Sequence, residues 1–277
     1  MDLLPYWNLR ERPFEATWDT RFFYQGRDHD EALSRLTFLV SEETMNIGLL
    51  TGEIGCGKTL TRAVFTQRLD ARRFTVVTQE NSCFNFIDLL GAVLYRLEGG
   101  SNGTGRTKFA RFERLKQITQ QSRSGGKHLV LVFDEAQELS PATLNELKLL
   151  TNLNGEGRNY LSIILLGQPE LRDRVARLPA IDQRISLRFH LKSLKESEAA
   201  SYLKHRLQVA GHPTGELFLT EAVERAFGAS AGIPRELNRL AKLALEYAWL
   251  REFPNVPLAA VDAVVRDLER HQKFPSA

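Results

Sequence analysis

The stretch Gly52-Glu53-Ile54-Gly55-Cys56-Gly57-Lys58-Thr59 has the G-x-x-x-x-G-K-[ST] spacing of a loop that wraps a polyphosphate. Such a loop turns backbone N–H groups inward, and glycine is needed where a Cβ would clash or φ must be positive. Lys58 would reach the β- and γ-phosphates, and Thr59 would place its hydroxyl on Mg²⁺. The helix that opens here, continuing through Leu60, would aim its N-terminal dipole at the anion. Gly52 to Leu60 is therefore the expected phosphate-binding stretch.

Two further positions suit phosphate chemistry. Asp134 and Glu135 follow the apolar run His128-Leu-Val-Leu-Val-Phe133, where one carboxylate can serve the metal and the other can polarise an attacking water. Hydrolysis is thus expected rather than binding alone. Gln168 ends the run Leu161-Ser-Ile-Ile-Leu-Leu166-Gly167 and either bonds the γ-phosphate or serves as a turn residue before Pro169. An arginine commonly meets the transition-state charge. Arg172, Arg174, Arg177, Arg184 and Arg188 crowd the region after that run, and Arg235 follows Gly232-Ile-Pro234 at the start of a helix. The six histidines show no metal or triad spacing, and Cys56 reads as an inert thiol.

These residues need a frame. Asn46 to Thr51, Phe74 to Thr78, His128 to Phe133 and Leu161 to Leu166 are short apolar runs suited to parallel strands covered on both faces. Helices are expected at Asp30–Val40, with Leu33, Leu36, Phe38 and Val40 on one face, and at Leu60–Leu69 and Phe84–Leu97. Others are expected at Lys108–Gln121, with Phe109, Phe112, Leu115 and Ile118 together, and at Pro141–Leu153. The order predicts an α/β fold with the ligand at the carboxyl ends of the strands. From Leu191 onward only helices are expected, with Thr220 as an N-cap and Pro234 in a first turn. The domains are therefore 1–28, an aromatic-rich arm packing on the core; 29–190, the α/β nucleotide-binding domain; and 191–277, a smaller all-helical lid. The insert Gly99 to Gly105 has four glycines in seven residues and is read as a flexible loop.

The 277 residues are 43% hydrophobic, enough for a large α/β unit and a satellite and too apolar for a disordered chain. A formal charge of +3 neither requires nor excludes nucleic acid. With only Cys56 and Cys83, no structural disulfide is expected, and a reducing, cytoplasmic location is predicted. No apolar run approaches the roughly 18 residues of a membrane span, so any contact with the inner membrane is expected through a partner.

Over nearly its whole length the chain resembles an AAA+ ATPase of the ExeA (general secretion pathway protein A) type, whose near relatives include the transposition ATPases TnsC, TniB and MuB. The resemblance lies in Tyr6-Trp-Asn-Leu-Arg-Glu-Arg-Pro-Phe14, Asp19-Thr-Arg-Phe-Phe-Tyr24 and the phosphate loop. It continues in Phe133-Asp-Glu-Ala-Gln137, Leu165-Leu-Gly-Gln-Pro-Glu-Leu171, Gln183-Arg-Ile185, Tyr202-Leu-Lys-His-Arg-Leu207 and Gly232-Ile-Pro-Arg-Glu-Leu-Asn238. It implies a P-loop NTPase fold of AAA+ type, with Lys58 and Thr59 in Walker A, Asp134 and Glu135 in Walker B, Gln168 as sensor 1 and Arg235 as sensor 2. Arg184 resembles the finger that acts in trans, and Gly26 and Arg27 fall where the family lines its adenine pocket. It implies a homo-oligomer with ATP and Mg²⁺ at subunit interfaces, serving an envelope secretion or export system. The alternative implied by the transposition relatives is assembly on duplex DNA with a transposase. The basic helix carrying Lys108, Arg111 and Arg114 would suit that alternative. ExeA-type proteins continue into a membrane span and a periplasmic region, which have no counterpart in these residues.

Overall fold

Five strands pair in parallel in a computed structural model of the chain, which describes residues 2–80, 85–100, 105–155 and 157–272. They are β1 (Ile47–Gly52), β2 (Phe74–Gln79), β3 (His128–Phe133), β4 (Leu161–Gly167) and β5 (Ile185–Leu191), arranged β2-β3-β4-β1-β5. Every residue of β1, β3 and β4 is buried, which explains their nearly unbroken apolar runs. In register, Ile47 faces Ile163, Leu129 faces Leu161 and Phe74 faces His128. Because all five strands run the same way, the residues that follow Gly52, Gln79, Phe133 and Gly167 lie along one edge.

β5 was not expected as a strand. Its sequence Ile-Ser-Leu-Arg-Phe-His-Leu alternates polar and apolar residues, and only its last residue is buried, as suits the edge of the sheet. The other expected elements are found with shifted ends. The helix expected at Pro141–Leu153 is α-helical over Pro141–Glu146 and then tightens to a 3₁₀ turn over Leu147–Asn152. Phe38 and Phe109, placed on apolar faces by spacing, are 52% and 75% exposed; Leu115 is buried as expected, and Leu39 is buried where Phe38 was expected. Thr220 is the first residue of its helix and makes no cap, whereas Pro234 does occupy a first turn. Cys83, Phe84 and residues 101–104 of the glycine-rich insert lie outside the described residues.

By packing, the chain divides into two units. One comprises Asp30–Glu53 and Thr61–Leu191; the other comprises Met1–His29, Ile54–Leu60 and Lys192–Ala277. In the first, helices Phe86–Leu97, Lys108–Ser124 and Pro169–Ala176 contribute Leu90, Leu115 and Leu171 to one cluster with Leu49, Leu131 and Leu165 of the sheet.

In the second unit the arm's Trp7, Phe14 and Phe22 share a cluster with Leu203, Leu237, Leu245 and Val261 of the C-terminal helices. The arm therefore belongs with residues 192–277, a boundary that composition did not reveal. Arg206, 4% exposed, fastens it: Nε donates to the Pro13 carbonyl at 2.6 Å, an NH2 donates to that of Glu15 at 2.9 Å, and the guanidinium lies 4.9 Å from the Phe22 ring centroid.

His128, at the start of β3, bonds through Nε2 to Ser162 Oγ at 2.9 Å. Burial pushes its imidazole down from 6.5 to about 4, against the pull of Glu43. The unfolded chain takes up this proton first, so stability should fall as pH drops from about 6.5 to about 4, by about 3 kcal/mol in all. Urea unfolding at pH 7 and 4.5 checks this, with His128→Asn expected to lose less on acidification than the wild type.

Candidate functional site

The phosphate loop, Ile54–Leu60, falls in the unit that contains the arm and the C-terminal helices. Gly55 and Gly57 have φ of +87° and +92°, which L side chains rarely adopt. A Cβ on Gly55 would also stand 2.7 Å from Cβ of Arg235, whose backbone N–H donates to the Gly55 carbonyl at 3.3 Å. Cys56 is buried, and its carbonyl lies 3.1 Å from His29 Nε2. A carbonyl only accepts, so Nε2 carries the proton. Burial holds His29 below its ordinary range, against the opposing pull of the Cys56 carbonyl bond. Helix Lys58–Arg68 begins on the loop's last lysine, which is 6% exposed, with Thr59 next. Arg235, exposed, is the second residue of helix Pro234–Leu250.

In the same unit the Arg27 N–H donates to Glu198 Oε1 at 3.0 Å, and a Cβ on Gly26 would meet that oxygen at 2.8 Å. The other Glu198 oxygen accepts the Lys195 N–H at 3.0 Å. One carboxylate thus ties the start of helix Arg27–Ser41 to the start of helix Glu196–Val209.

The remaining site residues lie at the carboxyl edge of the sheet, in the other unit. Gly52 ends β1, and a Cβ there would be 2.7 Å from the Leu191 carbonyl; Glu53 after it is exposed. Asp134, 3% exposed, accepts the Glu135 N–H on Oδ1 at 3.0 Å, and Arg62 Nε pairs with its Oδ2 at 3.1 Å. Arg62, itself buried, pairs onward with Glu80 at 3.0 Å. Glu135 has a left-handed backbone, φ 49° and ψ 40°. Its Oε2 accepts from Gln137 Nε2 at 2.6 Å, and Gln137 Oε1 accepts the Gln168 N–H at 3.1 Å. The edge therefore gathers Asp134, Glu135 and Gln168, as expected.

Arg184 is engaged elsewhere in this unit: Nε donates to Thr151 Oγ1 at 2.9 Å and an NH1 to the Ala180 carbonyl at 2.8 Å. Arg172 pairs with Asp173 and Arg188 with Asp182. Sequence reasoning missed His29, Arg62 and Gln137. Arg62 stands one helical turn beyond Lys58, and Gln137 two residues beyond Glu135, so spacing from the motifs was the available signal.

The donors fit magnesium chemistry: the Thr59 hydroxyl and the Asp134 carboxylate are hard oxygens. Among the described residues no group of three or more His, Cys, Asp or Glu side chains could hold a metal ion.

A family model described as an AAA domain matches residues 41–175. The chain is 32% identical over 248 residues to General secretion pathway protein A of Aeromonas hydrophila, which covers 89% of this chain and 45% of that protein. It thus spans less than half the length of this relative. Among solved structures it is similar to the Aeropyrum pernix ORC2 protein in its ADPNP–ADP complexes, with TM-score 0.69, 17% identity, and 93% of this chain and 71% of that one covered. It is also similar to the Thermotoga maritima RuvB Holliday junction branch migration motor, with TM-score 0.59, 16% identity and 93% and 73% covered. Over residues 41–175 the chain is thus similar to the AAA domain, and the solved structures share its fold. The glycine pattern of the motif has two separate causes, left-handed backbone at Gly55 and Gly57 and close packing at Gly52.

Gly57→Ala should strain φ by about 1–2 kcal/mol and bring a Cβ to 3.1 Å from His29 Nε2. Titration with a fluorescent ATP analogue should show affinity at least about tenfold weaker, one decade being 1.4 kcal/mol.

Proposed function

We propose that this chain is a Mg²⁺-dependent ATPase whose subunits assemble with ATP between them and drive or regulate an envelope secretion or export system. The observation that carries the hydrolytic part is that one chain holds both a positive-φ glycine loop leading to Lys58 and, in its other unit, Asp134–Glu135 at a strand end. The secretion context rests on the relative from Aeromonas hydrophila, matched over 89% of this chain.

In this reading the loop amides from Gly52 to Leu60 and the Lys58 ammonium hold the β- and γ-phosphates, and Gly26 and Arg27 border the base. Thr59 and Asp134 hold Mg²⁺, which when bound offsets the charge of the phosphate oxygens. Glu135 accepts the proton of the attacking water, with Gln168 and Arg235 reading the γ-phosphate. Arg184 of a neighbouring subunit meets the developing charge, a role that requires it to leave Thr151 and the Ala180 carbonyl. No described helix is long and apolar enough to cross a membrane; in this reading the enzyme is cytoplasmic and meets the inner membrane through a partner.

Assembly on duplex DNA with a transposase is the alternative. Its sequence motive is weakened by the pairing of the basic helix: Lys108 with Glu146 at 2.6 Å, Arg114 with Glu98 at 2.7 Å and Arg111 with Asp88 at 3.5 Å.

Steady-state turnover and nucleotide titration test these roles. Lys58→Ala should abolish productive binding, whereas Glu135→Gln should keep ATP affinity and lower kcat by about 10²–10⁴-fold. Turnover should rise with protein concentration and be indifferent to duplex DNA at low salt, where phosphate contacts are strongest. Stimulation by DNA that fades with added salt would favour the transposition reading.

A further inference from the structure

Gln137 is buried at 8% exposure between two residues of the candidate site. Its amide makes one bond to each: Nε2 donates to Glu135 Oε2 at 2.6 Å, and Oε1 accepts the backbone N–H of Gln168 at 3.1 Å. The orientation of the amide is dictated by its partners. A backbone N–H can only donate, so the oxygen must face Gln168, and the amino group is left to face the carboxylate. The space it occupies depends on Gly167, where a Cβ would lie 2.6 Å from Gln137 Oε1. Its own carbonyl is held by Arg174, whose NH1 donates to it at 2.6 Å. Glu135, in turn, sits in a left-handed backbone conformation that a non-glycine residue adopts at a cost and that its surroundings keep.

We propose that Gln137 is a positioning residue for ATP hydrolysis: its amide fixes the orientation of the Glu135 carboxylate and couples it to the end of β4 at Gln168. The role rests on the reading of Glu135 as the group that accepts the proton of the attacking water. A displacement of the β4 end when Gln168 engages a γ-phosphate then reaches Glu135 through a single side chain. The neutral donor also leaves Oε1 of Glu135 for the water.

Two variants separate the functions of this amide. Gln137→Glu keeps the shape and an acceptor for the Gln168 N–H, but puts a second carboxylate where Glu135 has its donor. Gln137→Met keeps the length and removes both bonds. In the full chain, both should bind a non-hydrolysable ATP analogue within about twofold of the wild type, leave KM within the same range, and lower kcat by about 10- to 100-fold. Urea midpoints supply a readout independent of turnover. Gln137→Met should shift the midpoint less in a Glu135→Ala background than in the wild type, because the partner of the bond is already gone. If Gln137→Glu fails to fold, Gln137→Met carries the same comparison. Unchanged kcat in a folded variant would overturn the proposal while leaving the ATPase reading intact, and additive midpoints would show that no bond joins the two side chains. Absence of turnover in the wild type overturns the hydrolysis reading and this role together, and is recognised by its independence of residue 137.

Discussion

A carboxylate taken out of water must be met by charge and hydrogen bonds or it costs several kcal/mol. Asp134 is 3% exposed, and the sheet edge is built around that requirement. Glu135 offers its N–H to one oxygen and Arg62 its guanidinium to the other, while Arg62 relies on Glu80 beyond the end of β2. To place its N–H there, Glu135 adopts a left-handed turn, and that turn in turn sets Gln137 against Glu135 and Gln168. A single buried charge thus dictates the arrangement of four other side chains.

Different physics shapes the phosphate loop. There the constraint is steric: two glycines at positive φ, one against Arg235 and one against His29. The support comes from residues distant in sequence, the His29 ring on the Cys56 carbonyl and the Arg235 N–H on that of Gly55. Both belong to the unit whose core joins the arm's aromatic rings to the C-terminal helices, fastened by the buried Arg206. The arm, expected to pack on the core, is part of the unit that carries the loop.

Much of the fold was legible because the central strands are buried on both faces and therefore written in nearly unbroken apolar residues. β5 escaped because an edge strand keeps polar residues on its open side, and Arg188 and His190 disguised it. Phe109 misled for the opposite reason: helical spacing marks which residues share a face, yet it does not say that a neighbour covers that face. The cations of the basic helix were legible as charges only. Their partners Glu146, Glu98 and Asp88 come from other segments, and no local pattern announces them.

The sequence by itself determined the chemistry on offer: a glycine loop with Lys58 and Thr59, and Asp134–Glu135 and Gln168 at the ends of apolar strands. These depend on local spacing, since a turn, a strand end and a helix start are set by residues near in the chain. Tertiary structure alone decided which side chains hold those groups in place. Arg62 on Asp134, Gln137 between Glu135 and Gln168, and Thr151 on Arg184 bring together residues from separate elements. Such pairings are set by where strands and helices pack, because a buried polar group takes its partner from whatever the fold places within reach.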